Sequence, residues 1–398
     1  MIKIKIIKYP LTYMLHKFNF ILNFILILGF VGCSNNTDKG NAKKTINMKV
    51  EKEELLTLKN YVDSTVYVKL ETDTNVIIRS INRINIFENK IFIHDSKLKS
   101  LFVFDMTGKF LYKIHNVGMG PEEYNSFTSF SIDRNKKLVF IHDLSKNSIY
   151  KYSTDNGEFK GVIRIKDRKS FARDITVMES GDYLCYSHEY IKEAFCGFWL
   201  LDSVGNFKKQ LWKQTDVFPY GSFEPNPIFI KQYENSIYTL FDAVNNDLYH
   251  YDGNKMTKEY HFDFSKLPIS SISMHSGLTP NERYSKKMTN IVQIANIHET
   301  SNYIWSVWEC NNKKHQTFYD KSKQKLIWIG GYDDYDYVLG RLTPTDNLDI
   351  ICFEIPAREC NDLLKSDKNN EMGLKLKELM KQSTPNDNSI LQIKYMKK

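Results

Sequence analysis

Apolar and polar residues alternate along this chain in short runs, and the runs recur in sets. Over residues 90–124, Ile91, Ile93, Leu101, Val103, Phe110 and Tyr112 fall on period-two positions, interrupted by Asp95-Ser96-Lys97 and by Met106-Thr107-Gly108. Alternation of this kind puts successive side chains on opposite faces of a strand, so the stretch predicts strand, turn, strand, turn, strand, then a glycine-proline loop. A second copy covers residues 137–162 and repeats an Ile-His-Asp tripeptide, which places His142 against His94, 142 − 94 = 48 residues apart. Strand-rich units at such an offset predict the blades of a β-propeller, each packing its faces on its neighbours.

Four further units follow the same plan. The third runs from Asp182-Tyr183-Leu184-Cys185-Tyr186 into Phe198–Phe207, where Asp202 and Gly205 repeat the spacing of Asp105 and Gly108. That spacing makes a tight hairpin turn. The fourth begins at Ser236-Ile237-Tyr238-Thr239-Leu240, the fifth at Tyr303-Ile304-Trp305-Ser306-Val307-Trp308, and the sixth at Asp349-Ile350-Ile351-Cys352-Phe353. The expected fold is all-β: one six-bladed β-propeller of four-stranded antiparallel blades over residues 61–398. A ring must not leave a sheet edge open. The last strand, around Leu391 to Tyr395, is therefore expected in one blade with the first, near Val66 to Leu70. Two stretches break the alternation and predict short helical inserts, near residues 279–290 and 361–383. The first has the capping-box spacing Thr279-Pro280-Asn281-Glu282.

The N-terminus reads as an address. Lys3, Lys5, Lys8 and Lys17 precede an apolar run from Phe18 to Gly32, and the chain turns polar at Ser34. A basic head, a short apolar body and small residues before a cut describe a secretory signal over residues 1–32. Residues 33–60 are then expected to form a flexible tether, with an average reach on the order of 30 Å. Removing the signal changes the charge picture. The full chain carries 55 basic and 47 acidic residues, and the signal holds four of the lysines, so 51 − 47 leaves +4. No basic run with interleaved aromatics stands out, which argues against nucleic-acid binding. Beyond Cys33 five cysteines remain, at irregular spacings without C-x-x-C or paired histidines. No zinc site, other metal or cofactor is indicated.

Phe30-Val31-Gly32-Cys33 resembles a bacterial lipoprotein processing site, in which Cys33 becomes the lipidated first residue. Together with the repeat and the closing strand, it makes the chain similar to the six-bladed β-propeller lipoproteins of Gram-negative envelopes, propellers of the NHL/TolB-like kind. The most specific element is Gly118-Met119-Gly120-Pro121-Glu122-Glu123-Tyr124, similar to a family loop written G-x-G-P-G-E-Y, with Glu122 at the third glycine. The resemblance implies a fold and an envelope location, on the outer membrane with its face undetermined. It implies no activity.

Three sets of residues are candidates for binding. The loop with Glu123 and Tyr124 has backbone N–H groups that could hold an anion, or it is a structural crossover between blades. Asp95 and Asp143 end equivalent strands and either line a channel mouth as cation ligands or bond their own turns. Tyr332, Asp333 and Tyr335 belong to an acidic-aromatic cluster that suits sugar rings or a protein contact. No catalytic set is visible, and there is no G-x-S-x-G elbow. The expected function is non-catalytic: a monomeric binding module, anchored in the membrane through lipid on Cys33, for a glycan, peptide or membrane-protein partner. The alternative is a propeller hydrolase or lyase acting on an extracellular saccharide or peptide with acids at the channel mouth.

Overall fold

The alternating runs form strands, and the strands assemble into six sheets, each with four antiparallel strands, arranged as a propeller. The structure, a computed structural model, describes residues 42–48, 60–167, 171–187, 195–213, 230–234, 237–242, 245–265, 293–310, 313–331, 341–343, 345–366 and 373–398. The signal segment 1–32, Cys33, the insert expected near 279–290, and Tyr332, Asp333 and Tyr335 lie outside the described residues. Blade 1 takes residues 83–114, blade 2 takes 129–164, blade 3 takes 174–213, blade 4 takes 230–263 and blade 5 takes 293–331. In each, the chain steps outward from first strand to fourth through hairpins.

Local chemistry makes the hairpins. In blade 1, Phe87 pairs with Lys90 across Glu88 and Asn89, both left-handed at φ 47° and 57°. This two-residue turn matches the twist of the strands it joins. At the next-but-one turn, Asp105 Oδ1 accepts hydrogen bonds from Thr107 N, Thr107 Oγ1 and Lys109 N. Gly108 completes that turn at φ 92°, and a Cβ there would overlap the Lys69 carbonyl oxygen of blade 6. Asp202 and Gly205 build the same turn in blade 3.

Each blade is sandwiched between two others, so its middle strands are buried on both faces. Ile91 and Ile93 pack with Cys352, Leu391 and Ile393 of blade 6, whereas Phe92, Leu101 and Val103 pack with Phe130, Ile132 and Val139 of blade 2. The outer fourth strands keep a wet face, as in Phe207–Lys213. The first strands approach one another about the axis. Ile84 bridges Thr345, and Ile175 N and Val177 N donate to the Ser129 and Ser131 hydroxyls of the preceding blade.

Blade 6 is assembled from both ends of the chain. Its strands are Arg341–Thr343, Ile350–Ile355, Ile390–Met396 and, outermost, Val62–Lys69. Val66 pairs with Ile393 and Val68 with Leu391, the closure expected from the sequence. Asn388 locks the corner: Ile78 N donates to its Oδ1, and its Nδ2 donates to the Glu71 and Val76 carbonyls. The insert near 361–383 contains two helices, α1 (Cys360–Lys365) and α2 (Leu374–Lys381). They bury Leu363, Leu376 and Met380 against Ile355 and Ile390 of their own blade.

The segment expected as a tether is not all tether. Lys44–Asn47 forms a strand that pairs in parallel with Met256–Asp263 and makes blade 4 five-stranded. Ile46 and Met48 supply the reason, since both are buried in the core cluster that holds Tyr260, Phe262 and Phe264.

Leu391 is fully buried at the seam, and a large-to-small change there removes contacts without letting the site collapse. Leu391→Ala is expected to cost about 2–5 kcal/mol of stability, read from urea midpoints; a loss under about 1 kcal/mol would mean that the seam is not fully packed.

Candidate functional site

The glycine-proline loop connects blade 1 to blade 2, and its shape comes from what it wraps around. Val117 bridges Tyr124, Gly118 N donates to Tyr124 O, and Tyr124 N donates to Asn116 O, closing the loop at its base. Inside it, the Lys146 ammonium donates to the carbonyls of Gly118, Gly120 and Glu123 at 2.9, 3.1 and 2.6 Å. Arg164 Nη2 donates to Pro121 O at 2.6 Å, and Tyr150 Oη donates to Glu123 O at 2.8 Å. The loop therefore turns carbonyl oxygens toward fixed cations. One N–H that could face an anion, that of Gly120, donates to Glu123 Oε2. Glu122 adopts no left-handed backbone, so the loop tolerates glutamate at the third glycine position of the family pattern. Tyr124 is buried, its hydroxyl bonded to the Lys99 and Ile114 carbonyls. Above this clamp Met119 is 80% exposed.

Asp95 and Asp143 occupy matching turns. Asp95 accepts from Arg79 N at 2.6 Å, Ser80 Oγ at 3.1 Å and Leu98 N at 3.0 Å. Asp143 accepts from Asn125 N at 2.6 Å, Ser126 Oγ at 2.6 Å, Ser145 Oγ at 2.7 Å and Lys146 N at 3.0 Å. Each carboxylate thus staples the segment entering a blade's first strand to the end of its second. Burial works against ionisation of Asp143, but the bonds from Ser126, Asn125 and Ser145 outweigh it and hold the group below the usual carboxylate range. Glu123 and Asp143 meet around Lys146, while Tyr124 packs beneath the loop on Phe127 and Tyr150; Asp95 stands at the equivalent turn one blade earlier. Among the described residues no set of three or more His, Cys, Asp or Glu side chains is placed to hold a metal ion.

Three further polar groups emerge from the structure. Arg83, on the first strand of blade 1, donates to Phe130 O of blade 2 and pairs with Asp174 of blade 3 at 2.9 Å, all buried. Glu299 of blade 5 accepts from Thr239 Oγ1 at 2.8 Å, lies 2.9 Å from His250 Nε2, and pairs with Lys321 at 2.7 Å. Burial would raise the Glu299 pKa, yet His250 and Lys321 bring it below its ordinary value. Lys146 was the legible one. Its amide bonds Asp143 as that of Leu98 bonds Asp95, so aligning the repeats exposes a lysine where the earlier blade has leucine.

His94 and His142 are buried at the ends of second strands. The His94 ring stacks on Phe127 with centroids 4.0 Å apart. Burial, and for His94 the nearby Arg83, lowers their pKa values to about 3 and about 4. The unfolded chain binds these protons near pH 6.5 and the folded chain does not, so stability falls as pH drops below about 6.5.

Comparison with known proteins agrees with the architecture. The model of a family described as a domain of unknown function, DUF4934, matches residues 43–394. A crystal structure from Bacteroides fragilis NCTC 9343, described as a presumed exported protein, gives a TM-score of 0.76 at 20% identity, covering 89% of this chain and 100% of that one. A DUF4221 member from Bacteroides vulgatus ATCC 8482 gives 0.49 at 10% identity, over 84% and 97%. No curated protein matches the chain.

A Cβ on Gly118 would overlap the Glu123 carboxylate. Gly118→Ala is expected to cost about 1–3 kcal/mol in thermal melts, and less in a Glu123→Ala background; equal costs in both would place the strain elsewhere. Between pH 7 and 4, His142→Phe is expected to remove about 3 kcal/mol of the acid-induced loss of stability. A variant whose urea midpoints keep the parent's pH slope assigns that loss to other groups.

Proposed function

The chain belongs to the DUF4934 family, and we propose that it is an exported, lipid-anchored β-propeller acting as a non-catalytic binding module for a glycan, peptide or membrane-protein partner. The loop of residues 118–124 carries this reading. Lys146 and Arg164 pin it from beneath, so it offers the exposed Met119 on a backbone already fixed in place. A contact surface that is ordered before it binds loses little entropy on association. The carboxylates support the same direction: Asp143, Glu299 and Asp105 are held ionised by amides, hydroxyls and cations, which suits stapling and not proton donation.

Export and anchoring rest on the basic-apolar leader, the Phe30–Cys33 pattern and the description of the Bacteroides fragilis relative as exported. Among the described residues no helix is long and apolar enough to cross a membrane. Lipid on Cys33 would attach the chain instead, several buried acyl chains giving a stable anchor at roughly 0.8 kcal/mol per methylene.

The full chain is expected to fractionate with membranes, and Cys33→Ala to release it or block its processing. Retention of Cys33→Ala with a cleaved signal would reject the anchor. Cross-linking from native membranes is expected to capture a stoichiometric partner, lost in Met119→Asp without loss of folding. Turnover of a saccharide or peptide by the purified chain would favour the hydrolase or lyase reading.

A further inference from the structure

We infer that the strand Lys44–Asn47 is a strap, which fastens the leader of the chain to the outer edge of blade 4 and keeps tension off the ring-closing seam in blade 6. In the other five blades the fourth strand is outermost. In blade 4 the fourth strand, Met256–Asp263, carries Tyr260 and Phe262, and Phe264 follows it; an open edge would leave this aromatic row poorly covered. The strap covers it. Lys44 pairs with Tyr260, Ile46 with Phe262 and Asn47 with Asp263, all in parallel. Lys43 N donates to Lys258 O at 3.2 Å and Met48 N to Asp263 O at 2.8 Å, fixing both ends. The Lys43 ammonium lies 2.6 Å from Glu259 Oε1, and Ile46 and Met48 are the apolar anchors.

The order of elements along the chain sets the consequence. A pull from the N-terminus meets Lys44–Asn47 before it meets Val62–Lys69, the strand that closes the ring. The seam stays unloaded until the strap lets go. A second consequence rests on the proposed lipidation of Cys33. Nine residues (34–42) separate Cys33 from Lys43, and fully extended they reach at most about 36 Å. Without the strap, 28 residues (34–61) precede Val62 and could reach about 100 Å. The strap therefore limits how far the propeller can stand from its anchor.

Hydrogen exchange on the full-length chain, compared with an Ile46→Asp/Met48→Asp variant, tests the strap. Amides of residues 43–48 and 256–263 are expected to exchange at least about tenfold faster in the variant, with Val62–Lys69 and Ile390–Met396 unchanged. Fast exchange of residues 43–48 in the parent overturns the proposal. Should the double variant unfold, Lys43→Glu opposes Glu259 at an exposed site and is expected to loosen the same amides. Pulled between its N-terminus and a handle at the exposed Lys160 of blade 2, the parent is expected to release at most about 68 Å of chain (residues 43–61) before the seam opens; a parent that opens first at the seam also overturns the proposal. Both readouts are independent of lipid, so they stand or fall separately from the membrane test of Cys33→Ala.

Discussion

The ladder between Val62–Lys69 and Ile390–Met396 brings together residues as distant as Val66 and Ile393, 393 − 66 = 327 positions apart. Blade 6 owes its outermost strand to this pairing, and blade 1 owes it the apolar wall on which Ile91, Ile93 and Phe102 pack. Because each blade is a neighbour's wall, an unclosed seam would bare two sheet faces as well as one edge. The long separation makes closure entropically costly to reach. Asn388 and the helical pair of blade 6 compensate by fixing the geometry of the corner where the two ends meet.

Polar groups divide the remaining labour. Aspartates at strand ends bond the amides of their own turns, and Asp95 and Asp143 also hold the segment that leads into the blade. At the blade interfaces, buried charges meet partners across blades: Arg83 pairs with Asp174, and Glu299, which also pairs with Lys321 of its own blade, bonds Thr239 and His250. Such pairs add little net stability but tolerate few misplacements, since an unpaired buried charge is expensive. Register between blades is thereby specified more sharply than apolar packing alone would manage. The loop of residues 118–124 inherits this rigidity through Lys146, whose own turn is set by Asp143.

Much of the fold is legible in the chain because a strand's alternation is local. Ile91, Ile93, Leu101 and Val103 announce strands, and Asp105-Met106-Thr107-Gly108 announces its turn. The leader is less legible: polar lysine-rich residues around Lys44 resemble a tether, and only the aromatic row on the outer side of blade 4 gives Ile46 and Met48 somewhere to go. The candidate site was half visible. Glycine, proline and tyrosine mark the loop, but what it faces is set by Lys146 and Arg164 on its carbonyl side, which no local pattern places there.

By itself, then, the sequence determined six strand-rich units, their turns and the closure of the ring, all of which follow from backbone periodicity and from the need to cover a sheet edge. The tertiary structure decided which side chains meet between blades. Arg83 finds Asp174 across 174 − 83 = 91 residues, and Glu299 finds His250 and Thr239 of the preceding blade. No local pattern encodes such pairs, because the distance that governs an electrostatic or hydrogen-bonded contact is a distance in space.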